Sequence, residues 1–268
     1  MQPLVMGVLN VTPDSFFDGG RYFTLEHAIS RGREMFEQGA DIVDVGGESS
    51  RPGAAPVALG EELRRVLPVI EALAASGRRV SIDTMKPEVA EAACRAGATL
   101  VNDVAGRCVE VAQSARAGIV VMHMKGDPQT MQVDPHYDDV VSEVFVALDA
   151  KARAAHDSGI AEVYVDPGIG FGKTLEHNLA LLAALADLVK KGEPVLVGTS
   201  RKSFLGRLLS GTGEPPRPPA ERFEGSLATA VWAMACGCAI VRAHDVLETA
   251  QAARLVGDVE LATAGDTR

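Results

Sequence analysis

Eight short apolar runs in this 268-residue chain each hand over to side chains able to do chemistry. Leu4 to Leu9 leads to Asn10; Asp41 to Val45 carries Asp44 and leads to Gly46 and Gly47; Arg79 to Asp83 ends on a carboxylate; Thr99 to Val104 holds Asn102 and Asp103. Gly118 to His123 ends on an imidazole and Glu162 to Asp166 on a second carboxylate. Pro194 to Gly198 leads to Ser200, Arg201 and Lys202, and Ala239 to Arg242 leads to His244. Carboxylates and an amide gathered in one place satisfy the donor-rich edge of a small molecule, while lysine, arginine and histidine gathered there hold an anionic part of it. Asp and Asn also begin turns for local hydrogen-bonding reasons. That explains one or two such positions, but not a polar group after every run.

The runs are β-branched and short, as buried strands are, and segments of helical spacing separate most of them. Leu25, Ala28, Ile29, Gly32 and Phe36 mark one helix, and Leu63, Val66, Leu67, Ile70 and Leu73 the next; they stop near Gly39 and Gly77, as helix C-termini tend to. Leu179, Leu182, Leu185 and Val189 mark a third, ending at Gly192, and Val140 to His156 and Leu227 to Ala235 read as helices too. Eight strand–helix alternations over about 250 residues match an α/β (β/α)8 TIM barrel, in which the strand C-termini converge on one active face. A doubly wound sheet fits the same periodicity. Gly211 to Ala220, with its Pro-Pro-Arg-Pro-Pro run, suits neither helix nor central strand and reads as a surface excursion. One domain is expected over residues 1–257, with a flexible C-terminal tail over 258–268.

The composition narrows the function classes. With 47% apolar residues the chain can bury a sizeable core, which excludes a disordered acidic tail. The net charge of −10, without basic runs, argues against nucleic acid or an anionic membrane as partner. It permits an anionic small molecule if the cations are gathered locally. The first residues show no signal-sequence or membrane-span pattern, so a cytoplasmic setting is expected. Cys236 and Cys238 lie in an apolar run without His partners and read as buried thiols rather than metal ligands. Gly168-Ile169-Gly170-Phe171-Gly172-Lys173-Thr174 imitates a phosphate loop, but Pro167 stands where its first glycine belongs, so a glycine-rich turn passing close to a ligand is the better reading. Lys202 invites comparison with a Schiff-base lysine; its neighbours Ser200, Arg201 and Ser203 predict a permanently charged ammonium instead.

The stretch Met6 to Gly20 (MGVLNVTPDSFFDGG), Gly46 to Gly53 (GGESSRPG), Ser81 to Thr84, Val101 to Val104, Met122 to Met124, Asp166 to Gly168, Ser200 to Ser203 and Arg242 to Asp245 together resemble the dihydropteroate synthases, in family order from about Val5 to Val256. The resemblance implies a pterin-binding TIM barrel that condenses 6-hydroxymethyl-7,8-dihydropterin pyrophosphate with 4-aminobenzoate, releasing pyrophosphate with the help of Mg2+. It assigns Asp83, Asn102, Asp166 and Lys202 to the pterin ring, and Asn10, Arg242 and His244 to the pyrophosphate, with Asn10 also toward the metal. Lys202, Arg242, His244 and Asp83 are the catalytic set it implies. Phe16, Ser50, Arg51, Pro52, Phe171 and Ser203 would form the aminobenzoate side, and Asp18 would order the first loop, closing with the second over the site.

The chemistry of these residue types agrees. Carboxylates and an Asn complement a pterin edge and penalise analogues that leave them unpaired. Cations and a hard metal ion stabilise the charge that builds on departing phosphate oxygens. The aromatic amine is neutral near pH 7 and needs no strong base. Asp103 has a second reading, as a residue that orients backbone. Sulfonamides, which compete with aminobenzoate in this family, are expected competitors. Ser50 stands where threonine is frequent and Phe17 where a small polar residue is common, so sensitivity to those drugs is left open. The resemblance also implies a homodimer. Two rivals share the pterin contacts: a methyltetrahydrofolate–corrinoid methyltransferase, which has no need of a pyrophosphate end, and a non-catalytic pterin-binding paralogue.

Overall fold

The computed structural model describes residues 2–12, 25–49, 54–127 and 130–265. Eight strands run β1 (Leu4–Asn10), β2 (Ile42–Gly46), β3 (Arg79–Thr84), β4 (Leu100–Asp103), β5 (Gly118–Met122), β6 (Val163–Asp166), β7 (Leu196–Val197) and β8 (Ile240–Ala243). All named pairs are parallel, in the order β6-β5-β4-β3-β2-β1-β8-β7. A parallel bridge from Val165 to Val195 joins β6 to the start of β7 and closes the circle. That closure decides for the barrel over the doubly wound sheet. β7 is short partly because Pro194 offers a carbonyl, which accepts from Val165 N–H at 3.0 Å, but has no N–H to donate.

The barrel's interior follows from the two-residue alternation of strands. Met6, Ile42, Leu100, Val120, Tyr164, Leu196 and Ile240 pack together as an apolar plug. Two residues further along the same faces, Ile42 gives way to Asp44, Leu100 to Asn102, Tyr164 to Asp166 and Ile240 to Arg242, while Ser81 on β3 is followed by Asp83. The interior thus changes from oil to charge within one step toward the C-terminal face. Residues of the opposite parity, such as Val43, Val45, Ile82, Val101, Val121 and Val165, pack outward against the helices in a second, larger core.

The helices are α1 (Leu25–Glu37), α2 (Leu59–Ala74), α3 (Pro87–Arg95), α4 (Val109–Ala115), α5 (Val140–Asp157), α6 (Leu175–Ala183), α7 (Leu185–Val189), α8 (Ser203–Leu208), α9 (Phe223–Ala235) and α10 (Val246–Gly265). The helix expected to end at Gly192 is two, divided at Ala184, which caps both and turns Leu185 and Leu188 into the core. The tail expected from Asp258 is helical as far as Gly265. Gly257 lies inside α10 with Gln2 packed upon it, and Ala-, Leu- and Glu-rich sequence follows. Pro215 to Pro219 is exposed and leads through a 3-10 turn at Pro219–Glu221 into α9, as a surface excursion should. Among the described residues no helix is long and apolar enough to cross a membrane.

Candidate active site

Arg242, delivered by β8, organises the mouth of the barrel. Its Nε donates to Asp44 Oδ2 at 2.6 Å and its Nη2 to Asp83 Oδ2 at 2.7 Å. Asn102 Nδ2 donates to the same Asp44 oxygen at 2.9 Å. Four strands, β2, β3, β4 and β8, are therefore tied at one height by side chains. Asp44 has no exposure at all, and its other oxygen, like Ser81 Oγ on the neighbouring strand, is buried without a hydrogen-bond partner. The sequence offered Asp44 as a strand-end carboxylate but gave it no part in the site. The signal was an Asp set between Val43 and Val45, where only a paired carboxylate is tolerated.

Burial sets the protonation of these groups. It pushes Asp83 up to about 7, with Arg242 opposing and Asp44 and Glu62 reinforcing the rise. Asp166 is raised in the same way, against the pull of Lys202 and of the Gly168 N–H that its carboxylate accepts at 2.7 Å. Burial alone would loosen the proton of Arg242, but the Asp44 and Asp83 carboxylates outweigh it and hold the guanidinium charged.

Lys202 departs from expectation. Burial brings its ammonium down to about 8, although Asp166 pulls the other way. The polar neighbours that predicted an undisturbed lysine are turned elsewhere: Arg201 pairs with Asp245, and Ser200 Oγ meets His244 Nδ1 at 2.9 Å while accepting His244 N–H at 3.2 Å. Lys202 itself donates to the Ile169 carbonyl and stands 4.6 Å from the centre of the Phe171 ring. At pH 7 it remains mostly protonated, which is poor preparation for a Schiff base and good preparation for an anion or a carbonyl.

Asn10 ends β1 in register with Gly46, which pairs in turn with Asp83, and Asp83 with Asn102. A Cβ on Gly46 would stand 3.7 Å from Asn10 Oδ1 and 3.6 Å from Asp83 Cβ, so the amide oxygen overlooks the carboxylates. Ser203 opens α8 beside Lys202. Asp103 has the backbone role: its oxygens accept N–H bonds from Gly106, Arg107 and Cys108 at 2.7 to 3.0 Å. Phe16, Phe17, Asp18, Ser50, Arg51 and Pro52 lie outside the described residues. The rim beside β2 and β3 is tied by Glu62, which accepts Thr84 Oγ1 at 2.7 Å and pairs with Lys86, itself bound to Glu48. The glycine run after β6 is no phosphate loop, since the Gly168 and Gly170 N–H groups are engaged by Asp166 and Asn178.

A closed parallel barrel whose mouth holds buried carboxylates, an Asn, an Arg and a Lys is the architecture of a pterin-binding enzyme, and the family model described as "Pterin binding enzyme" matches residues 6–244. Dihydropteroate synthase of Escherichia coli K12 is 47% identical over 261 residues, covering 95% of this chain and 90% of that protein. The Mycobacterium leprae enzyme is 45% identical over 261 residues, covering 94% and 92%. Among solved structures, a Yersinia pestis dihydropteroate synthase with a sulfonamide drug complex superposes with a TM-score of 0.89 at 43% identity, covering 97% of this chain and 94% of that one. Xanthomonas albilineans dihydropteroate synthase with 4-aminobenzoic acid gives 0.88 at 45% identity, covering 97% and 93%. The chain belongs to the dihydropteroate synthase family, transferases of folate biosynthesis.

Proposed function

We propose that this enzyme joins 6-hydroxymethyl-7,8-dihydropterin pyrophosphate to 4-aminobenzoate, forming 7,8-dihydropteroate and releasing pyrophosphate. The observation that carries the reading is the cluster in which Arg242 binds Asp44 and Asp83 while Asn102 and Asp166 share the mouth with Lys202. A pterin edge presents amino and ring N–H donors beside ring nitrogen and carbonyl acceptors. Asp166 and Asp83 accept from the former, and Asn102 and Lys202 donate to the latter. Because these groups are buried, an analogue that leaves one unpaired loses about 1–3 kcal/mol per group. The titration of Asp83 near neutrality lets it meet either a donor or an acceptor on the ring.

Cleavage of the methylene carbon–oxygen bond sends the electron pair to pyrophosphate and leaves positive charge on the pterin. The lone pair of the aromatic amine then forms the carbon–nitrogen bond, and the amine's proton passes to solvent. Carboxylates around the ring suit a cation that is absent from the ground state, which is how a site lowers a barrier. His244, held by Ser200, and Asn10 are assigned to the pyrophosphate side. Arg242 joins them through Nη1, its other nitrogens being committed to Asp44 and Asp83.

Among the described residues no three His, Cys, Asp or Glu side chains form a metal site. Mg2+ is assigned here to one neutral oxygen, from Asn10, which would hold it together with the substrate's phosphate oxygens. The ion, when bound, neutralises charge on the departing pyrophosphate. Phe171 and Ser203, with Phe16, Ser50, Arg51 and Pro52, are assigned to aminobenzoate, with sulfonamides as competitors there and Asp18 ordering the first loop. A homodimer and a cytoplasmic setting complete the proposal.

The test is pyrophosphate release that depends on aminobenzoate, with the pterin pyrophosphate and Mg2+ supplied. Arg242→Met should reduce it at least a hundredfold while the protein still unfolds cooperatively. No aminobenzoate-dependent release by the wild type at saturation would overturn the reading. A corrinoid methyltransferase would not consume the pyrophosphate ester.

A further inference from the structure

Five consecutive carbonyls of the loop joining β6 to α6 each accept a hydrogen bond. Gly168 accepts from Phe171 N at 3.0 Å, Ile169 from Lys202 Nζ, Gly170 from Gln132 Nε2 at 2.7 Å, Phe171 from Lys173 Nζ at 3.0 Å, and Gly172 from Tyr137 Oη at 2.9 Å. On the donor side Gly168 and Gly170 give their N–H groups to Asp166 and Asn178, each at 2.7 Å. Surface loops ordinarily satisfy their backbone with water and gain mobility by it. Here Lys202, Gln132 and Tyr137 reach in from other segments to clasp three of the five carbonyls, and the loop's own Phe171 N–H and Lys173 ammonium take the other two.

Lys173 is the costly member of that clasp. It is 3% exposed, and its ammonium reaches His123 Nδ1 at 3.0 Å and the His123 carbonyl at 3.4 Å as well as the Phe171 carbonyl. Three donors thus find three acceptors, the condition under which a buried ammonium is tolerated. Burial, and then the charge of Lys173, pushes the His123 imidazole down to about 4, so the ring is neutral and its Nδ1 accepts. Burial likewise lowers Lys173 to about 7, against Asp166 and with Lys202 and Lys151 adding repulsion. Neither residue hydrogen-bonds the acids around Arg242, although Asp166 acts on Lys173 through its charge. What the pair holds is the segment bearing Phe171, whose ring lies beside the Lys202 ammonium.

We infer that Lys173, backed by His123, is a positioning residue for the second substrate: it pins the 168–172 loop so that Phe171 presents a fixed wall to the incoming aromatic amine. The inference rests on the proposed assignment of Phe171 to aminobenzoate. A wall ordered in advance spares the binding step the entropy of ordering it, so its loss should appear in the affinity for that substrate and not in the affinity for pterin.

Lys173→Met keeps the length of the side chain and removes the ammonium. It should raise KM for aminobenzoate about tenfold, leave the dissociation constant of the pterin pyrophosphate within about twofold, and speed amide exchange across residues 168–172. Gln132→Ala, at an exposed position, should move the same quantities in the same direction by about two- to threefold. Equal losses for both substrates, or unchanged exchange in the loop, would overturn the inference. So would faster exchange with kinetics untouched. Should Lys173→Met fail to fold, Gln132→Ala decides alone, an unchanged aminobenzoate KM counting against the wall. If the wild type made no dihydropteroate, the proposed function would fall, and loop exchange would still decide whether Lys173 pins the segment.

Discussion

Asp83→Asn separates the charge of this carboxyl from its shape. Asp83 keeps its proton to about pH 7, against an ordinary 3.8, chiefly because burial disfavours the anion and despite Arg242. The folded state therefore binds that proton more tightly than the unfolded chain does. The stability this lends is fully present below about pH 4 and is lost as pH rises through about 7. A gap of roughly 3 pKa units is worth about 4 kcal/mol at about 1.36 kcal/mol per unit. Asparagine carries no such burden, and its carbonyl oxygen can still accept from Arg242 Nη2. The stability of the variant relative to the wild type should thus climb by up to about 4 kcal/mol between about pH 4 and pH 8, on the order of 10 °C in Tm for a chain of this size. Urea unfolding of both proteins at about pH 4.5, 6, 7 and 8.5 reads this directly, because titrating groups remote from Asp83 cancel in the difference. A difference that stays flat, or falls with pH, would refute the placement of Asp83 in a dry, carboxylate-rich mouth. The same variant should lose pterin affinity, so the carboxylate's cost to the fold and its use to the site would be measured in one protein.

Other outcomes follow from the same geometry. Asp44→Asn removes a like charge that holds Asp83 up, so the acid limb of the pH–kcat/KM profile should move to lower pH, with a stability loss of about 2–3 kcal/mol from the weakened Arg242 and Asn102 bonds. Gly168→Ala places a Cβ 1.8 Å from the His123 carbonyl oxygen at φ +66°, whereas Gly192→Ala at φ +107° meets nothing within 4 Å. The first should cost more than about 3 kcal/mol in thermal unfolding and the second about 1.

The strand ends were legible because a parallel barrel makes them so: a polar residue after each apolar run is a local signal with a global meaning. The plug and the polar step above it also follow from alternation along each strand. What stayed hidden depended on which strands meet. Asp44 acquires its role only when β8 closes against β1 and brings Arg242 across the barrel. Lys173 sits in the loop that mimics a phosphate site, and nothing in its neighbours announces that the end of β5 will enclose it. The lowered pKa of Lys202 is hidden for a related reason, since Ser200 and Arg201 adjoin it in sequence but turn to His244 and Asp245 in space. The short α3 buries Val89, Ala90 and Ala93 and the short α4 Ala112, stripes too slight to stand out in the sequence, and their existence follows from the need to cross from strand to strand.

The barrel is a hoop fastened unevenly. Seven of its edges are ladders, while β6 and β7 meet at a single bridge between Val165 and Val195. Asp166 stands one residue past Val165 on one side of that clasp, and Lys202 follows β7 on the other. A ring system held between Asp166 and Lys202 would lie across the weakest stitch of the hoop, so substrate would lock the scaffold where its backbone fastens it least. Slowed amide exchange on pterin binding should then be greatest in β6 and β7, making the enzyme's looseness at rest a property of one seam and its firmness in turnover a gift of the substrate.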